Sequence, residues 1–119
     1  MGPPPSDPIN NPSEQSERER RRQERIYEPF PVTIRSVDAS GEAFEIQTVL
    51  DNFSASGFRV RLERRVEHGA KVFAIVRLST SPPEVPAPRV AVRGVVLGVE
   101  PQPDGTWSVA VNYTRHRFL

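Results

Sequence analysis

A chain of 119 residues has room for one domain at most, and the residues before Ile26 carry too little apolar surface to join a core. With no cysteine, the chain has no disulfide framework, no thiolate metal site and no thiol nucleophile, which suits a reducing compartment. Sixteen basic against fifteen acidic residues give a net charge of +1, so bulk electrostatics select no polyanion and any anion site must come from local clustering.

Residues 1–12 are rich in Pro and Asn, with almost nothing to bury, and residues 1–17 are expected as a disordered tail. This start has no apolar core of a signal peptide, and no apolar run approaches the ~20 residues of a membrane span, so a cytoplasmic location without membrane attachment is expected. From Ser13 the composition turns to Ser, Glu, Gln and Arg. Ser16 and Glu19 have capping-box spacing and Glu17 lies four before Arg21, yet no apolar face forms before Ile26 and Tyr27. So short a helix is marginal in isolation, and residues 18–29 read as a flexible, Arg-rich arm that orders on contact with something else. Pro29 and Pro31 stop any helix and lead into the domain proper, residues 30–119.

The first strand is expected over Val32 to Val37, followed by a hairpin turn at Ala39-Ser40-Gly41-Glu42. In the second, Ala43 to Leu50, Phe44, Ile46 and Thr48 alternate with Glu45 and Gln47; in the third, Phe58 to Leu62, Phe58, Val60 and Leu62 alternate with Arg59 and Arg61. Between them Asn52-Phe53-Ser54-Ala55-Ser56-Gly57 reads as a turn presenting an amide, two hydroxyls and a glycine. A charged connection, Glu63 to Ala70, precedes the fourth strand, Lys71 to Leu78, where Val72, Ala74, Val76 and Leu78 share a face. Ser81 to Pro88 holds Pro82, Pro83, Pro86 and Pro88 and must be a loop. The fifth strand runs from Val90 to about Val99, with bends or bulges at Gly94 and Gly98. Asp104-Gly105 marks a turn, and the sixth strand is Trp107 to Tyr113. Thr114 to Leu119 is expected either as one helical turn or with Phe118 docked on the domain, and Trp107 and Phe73 are expected in the core. Six strands, short turns and no helical period argue for an all-β, antiparallel barrel.

Catalysis finds no support in these residues. His68 and His116 lie apart with nothing nearby in sequence to orient them, no His/Asp/Glu cluster has ligand spacing, and Ser54 has no evident base. Binding fares better. Arg21 and Arg25 are four apart and can converge on one ligand, and guanidinium groups suit phosphate oxygens and the O6/N7 edge of guanine. Asn52 supplies an acceptor and a donor, Ser54 a hydroxyl, and Gly57 permits close approach of ligand or backbone. Together these residues suit a guanine nucleotide bearing more than one phosphate.

Arg21-x-x-x-Arg25 followed by Asn52-x-Ser54-x-x-Gly57 resembles the paired signature of the PilZ domain. The resemblance runs from about Arg20 to the C-terminus and takes in Arg25-Ile26-Tyr27-Glu28-Pro29-Phe30-Pro31-Val32, Gly94-Val95-Val96 and Trp107-Ser108-Val109-Ala110-Val111. It implies a six-stranded barrel that binds cyclic di-GMP, the bacterial second messenger, with no cofactor or metal. It implies that Arg21 and Arg25 hold phosphate and guanine, and that Asn52 and Ser54 read a guanine while Gly57 shapes the backbone. It further implies that Arg20, before the first motif arginine, favours an intercalated ligand dimer. Asn52 stands where many relatives carry Asp, which removes a charge-assisted acceptor for guanine N–H groups.

The reading that follows is a non-enzymatic receptor or adaptor: cyclic di-GMP orders the arm against the barrel, and another protein reads the new surface. The alternative is an interaction module of the same fold that binds no nucleotide. A barrel for RNA or single-stranded DNA would need aromatics interleaved with basic residues on a strand face, and Phe58-Arg59-Val60-Arg61 is the nearest approach.

Overall fold

The computed structural model describes residues 24–119. The expectations for the tail, for residues 18–23 of the arm and for Arg20 and Arg21 lie outside them. Six strands are present: β1 (Pro31–Val37), β2 (Ala43–Phe53), β3 (Gly57–Leu62), β4 (Lys71–Arg77), β5 (Arg89–Pro101) and β6 (Trp107–Phe118). They close into a barrel in the order β1-β2-β3-β6-β5-β4, each neighbouring pair antiparallel.

Alternation drives the closure. Val32 and Ile34 of β1, Phe58, Val60 and Leu62 of β3, Val72, Ala74 and Val76 of β4, Val90 and Val92 of β5 and Val109 and Val111 of β6 are all buried in one core. Intervening residues face outward, because successive strand side chains point to opposite faces. That parity corrects the expectation for Phe73. It stands between Val72 and Ala74, so it lies on the outer face, half-buried, with the Arg93 guanidinium 5.9 Å from its ring centre. Trp107 does pack against the core, under the guanidinium of Arg65 at 5.7 Å.

The tail expectation is corrected too. Thr114 to Phe118 form neither a helical turn nor a docked cap but continue β6, pairing with β5 as far as Val90↔Phe118. The cause lies across the hairpin, where β5 starts at Arg89 and supplies a ladder for the whole length of β6. Register shifts lie at both β5 glycines: between Val96 and Gly98 the extra residue is Leu97 of β5, while between Arg93 and Gly94 it is Thr114 of β6.

Antiparallel closure sorts the connections onto two ends. One end carries the β1–β2 and β5–β6 hairpin turns and the β3–β4 connection. Gly41 and Gly105 take the positive φ, 86° and 88°, that the two turns require. From the connection, Val66 reaches into the core, 1 % exposed. The other end carries residues 24–30, the β2–β3 turn, the proline-rich β4–β5 loop and the end of β6. Arg77 holds that loop, donating from Nη1 to Ser81 O at 2.7 Å and from Nη2 to Pro82 O at 3.0 Å and to Val85 O.

Candidate nucleotide-binding site

The site grows from an irregularity in β2. Pairing with β3 runs through Leu50↔Val60 and resumes at Asn52↔Arg59 and Phe53↔Phe58, so Asp51 is the extra residue of a bulge. A bulge re-aims the side chains that follow it. Asn52 therefore shares a face with outward-pointing Arg59, and Phe53 with Phe58, which is buried in the core. Asn52 and Phe53 belong to β2, so the turn is shorter than the sequence suggested and is confined to Ser54-Ala55-Ser56.

Residues 24–30 run alongside this bulge. Ile26 and Phe53 exchange both backbone hydrogen bonds, Ile26 N to Phe53 O at 2.7 Å and Phe53 N to Ile26 O at 2.9 Å, and Leu50 N donates to Phe30 O at 3.0 Å. This anchoring brings Arg25 over Asn52, where its Nη1 donates to the amide Oδ1 at 2.7 Å. Asn52 is only 8 % exposed despite its outward direction. The structure thus joins one residue from each sequence motif by a direct hydrogen bond across 27 positions of chain.

Ser54 is placed differently. It is 2 % exposed, its backbone N donates to Gly57 O at 2.9 Å, and its hydroxyl donates to the same oxygen at 3.2 Å. Its hydroxyl also lies 3.3 Å from that of Ser56. In this state Ser54 closes the turn. Gly57 has a backbone explanation: a Cβ on it would sit 2.1 Å from the carbonyl oxygen of Val111. β3 approaches β6 so closely there that only glycine fits. Of the six residues singled out from the sequence, Arg25, Asn52, Ser54 and Gly57 converge at one end of the barrel, while Arg20 and Arg21 lie outside the described residues.

Tyr113 was missed. Its backbone N donates to Ser56 O at 2.9 Å, and its ring lies 6.1 Å from those of both Phe53 and Phe58. Phe30 adds an edge-to-face contact to Phe53 at 6.2 Å, so Phe30, Phe53, Phe58 and Tyr113 form an aromatic cluster on the core side, with Phe53 on the face of β2 opposite Asn52. The Tyr113 hydroxyl is buried with no hydrogen-bond partner among the described residues. Burial raises its phenol above the ordinary value, and the positive charge of Arg25 opposes that shift. No sequence signal marks Tyr113, because its place here follows from the pairing of β3 with β6. No cluster of three His, Asp or Glu suited to a metal exists among the described residues, and they include no helix long and apolar enough to cross a membrane.

The arrangement offers a guanidinium and a carboxamide at one end of a small barrel, held in place by an aromatic cluster on the core side. That chemistry suits a planar ligand with acceptor edges and negative charge. The sequence profile of the PilZ domain matches residues 19–117, and this chain belongs to the PilZ domain family, a family of cyclic di-GMP-binding modules. Among solved structures, the chain is similar to the inhibitor of motility MotI/DgrA of Bacillus subtilis, with a TM-score of 0.58 and 23 % identity. That likeness, one of fold, covers 76 % of this chain and 41 % of the other, so the chain spans less than half of the protein it matches. No curated protein matches the chain.

Proposed function

We propose that this chain is a receptor for cyclic di-GMP that acts as a non-enzymatic adaptor. The observation that carries the reading is the 2.7 Å hydrogen bond from Arg25 to Asn52, which brings the arginine motif and the turn motif into one site. A guanidinium has five N–H donors, and Arg25 uses only one of them on a described residue, leaving donors for the O6/N7 edge of guanine or for phosphate. Asn52 keeps its amide N–H donors for the same base. Phe53 and Tyr113 pack on the core side of β2 and hold the backbone that presents Asn52.

In this mechanism the nucleotide fixes residues 18–25 against the barrel, with Arg21 on phosphate and guanine. Arg20 favours a second, intercalated ligand. The surface so formed is read by a protein partner, which makes the output an interaction and not a reaction. Ser54 and Gly57 contribute by holding the turn and the β3–β6 approach that set the position of Asn52. A cytoplasmic setting fits this role, since the nucleotide is an intracellular messenger.

Calorimetric titration of the purified chain with cyclic di-GMP, with GTP and Arg25→Ala as controls, tests the reading. Micromolar or tighter binding, lost in Arg25→Ala and absent for GTP, is expected, and the fitted stoichiometry tests the role given to Arg20. No heat of binding would overturn the receptor reading and leave an interaction module that takes no nucleotide.

A further inference from the structure

The last residues of β6 leave one strand edge of the barrel unpaired. Pairing with β3 ends at Gly57↔Asn112, and the backbone N of Tyr113 reaches Ser56 O. Beyond that, Thr114 is the extra residue of a bulge, Arg115 to Phe118 pair only with β5, and no described residue pairs with their other edge. Antiparallel alternation shows which groups lie on that edge. Leu119 N donates to Arg89 O, so the residues of Leu119's parity, Arg117 and Arg115, direct their backbone groups to β5. His116 and Phe118 direct theirs outward.

The side chains of this edge are sorted in the same way. Arg115 and Arg117 border a groove on the outer face that Phe73, Ile75, Ala91 and Arg93 also line, with Arg93 directly across the β5–β6 ladder from Arg115. His116 and Phe118 project from the opposite face, in edge-to-face contact at 6.3 Å, with Phe118 66 % exposed. No ion pair among the described residues involves Arg89, Arg93, Arg115 or Arg117. An unpaired strand edge invites another strand, and cations on it select what may join. A second copy of β6 is the wrong occupant. Antiparallel pairing about His116 would set Arg115 against Arg117 of the other copy, and like charges directly opposite repel.

We propose that the β6 edge at Thr114–Phe118 is a docking site for an extended segment of a partner protein that alternates acidic and apolar residues. The segment adds a strand to the sheet through the outward backbone groups of His116 and Phe118. Its carboxylates lie on the outer face beside Arg115, Arg117 and Arg93, and its apolar side chains lie on the other face beside Phe118. This surface is distinct from the one the nucleotide forms, and rests on the adaptor reading only for the expectation of a protein partner. It is measured without nucleotide, however, so its failure and a failure to bind cyclic di-GMP are separate results.

The test uses the full chain and a short dye-labelled peptide of alternating glutamate and valine, with a lysine–valine peptide as control. Fluorescence titration should show binding of the acidic peptide alone. It should weaken about tenfold or more in the Arg115→Ala/Arg117→Ala double variant and be lost in His116→Pro. Proline at position 116 removes an N–H that faces away from β5 and so leaves the barrel ladder intact. In the unsubstituted chain, amide exchange at His116 and Phe118 should be fast and should slow when the acidic peptide binds. Equal binding of both peptides, binding that survives His116→Pro, or no binding at all would overturn the proposal. So would slow exchange at His116 and Phe118 without peptide, which would assign the edge to this chain's own residues or to a second copy.

Discussion

The two ends of the barrel differ in how fully their polar groups are satisfied. At the hairpin end, side chains satisfy their own turns. Asp38 Oδ1 accepts from Ser40 N at 3.0 Å, Ser40 Oγ at 2.6 Å and Glu42 N at 3.0 Å, while its Oδ2 accepts from Arg64 at 3.2 Å. Asp104 does the same for Thr106, accepting at 3.0 Å from its backbone N and 2.6 Å from its hydroxyl. At the motif end, Arg25 has only a neutral amide as partner among the described residues, the Tyr113 hydroxyl has none, and Arg115 and Arg117 pair with no described carboxylate. One end is finished by local hydrogen bonds. At the other, Arg77 and Ser54 are spent on their own loop and turn, while Arg25, Arg115, Arg117 and the Tyr113 hydroxyl are not, and that difference adds to the Arg25–Asn52 contact as an argument for a site at this end.

The largest expected effect comes from removing the cation that joins the motifs. Arg25→Ala should weaken cyclic di-GMP binding about 100-fold in calorimetry while leaving the denaturant midpoint almost unchanged, since Arg25 lies outside the core. Gly57→Ala should do the reverse and act first on the fold. Its Cβ would lie 2.1 Å from Val111 O, and β3 can give way only by shifting from β6, at about 1–3 kcal/mol in urea unfolding. Gly41→Ala at the opposite end meets no atom within 4 Å but holds φ at 86°. It should cost about 1–2 kcal/mol through backbone strain and leave nucleotide binding intact.

The smallest effect is a pH dependence that differs between the ends. Hydrogen bonds from Ser40 and Glu42 to Asp38, and from Thr106 to Asp104, hold both carboxyls below the ordinary 3.8. A depressed carboxyl stabilises the fold above its ordinary value, and the contribution is lost as pH falls through the depressed one. Tyr113 has the opposite sign. Burial raises its phenol above 10.0, so its contribution is complete below that pH and is lost as pH rises further. Amide exchange should therefore quicken first at the hairpin turns in acid and first around Ser56 and Tyr113 in base.

Much of this was legible in the sequence because strands announce themselves by alternation. Phe58, Val60 and Leu62 lie inside as their spacing requires, and Gly41 and Gly105 occupy the left-handed positions that their turns demand. The end of β6 was not legible. Thr114-Arg115-His116-Arg117 shows no alternation and is a strand only because β5, far back in the chain, starts early enough to pair with it. The bulge at Asp51 was equally hidden, since one extra residue leaves no mark on composition yet decides which way Asn52 points. Gly57 was singled out for close approach of ligand or backbone. The structure shows the backbone of β6, and the close approach of β3 and β6 that this glycine permits also explains why Tyr113 belongs at the site.

The central claim is that the motif end receives the nucleotide and the hairpin end does not. Hydrogen–deuterium exchange of the full chain with and without cyclic di-GMP tests it most directly. Slower exchange is expected over residues 24–30 and 52–57, with Asp38–Glu42 and Gln102–Thr106 unchanged. Protection confined to the hairpin end, or no change anywhere at saturating nucleotide, would contradict the account.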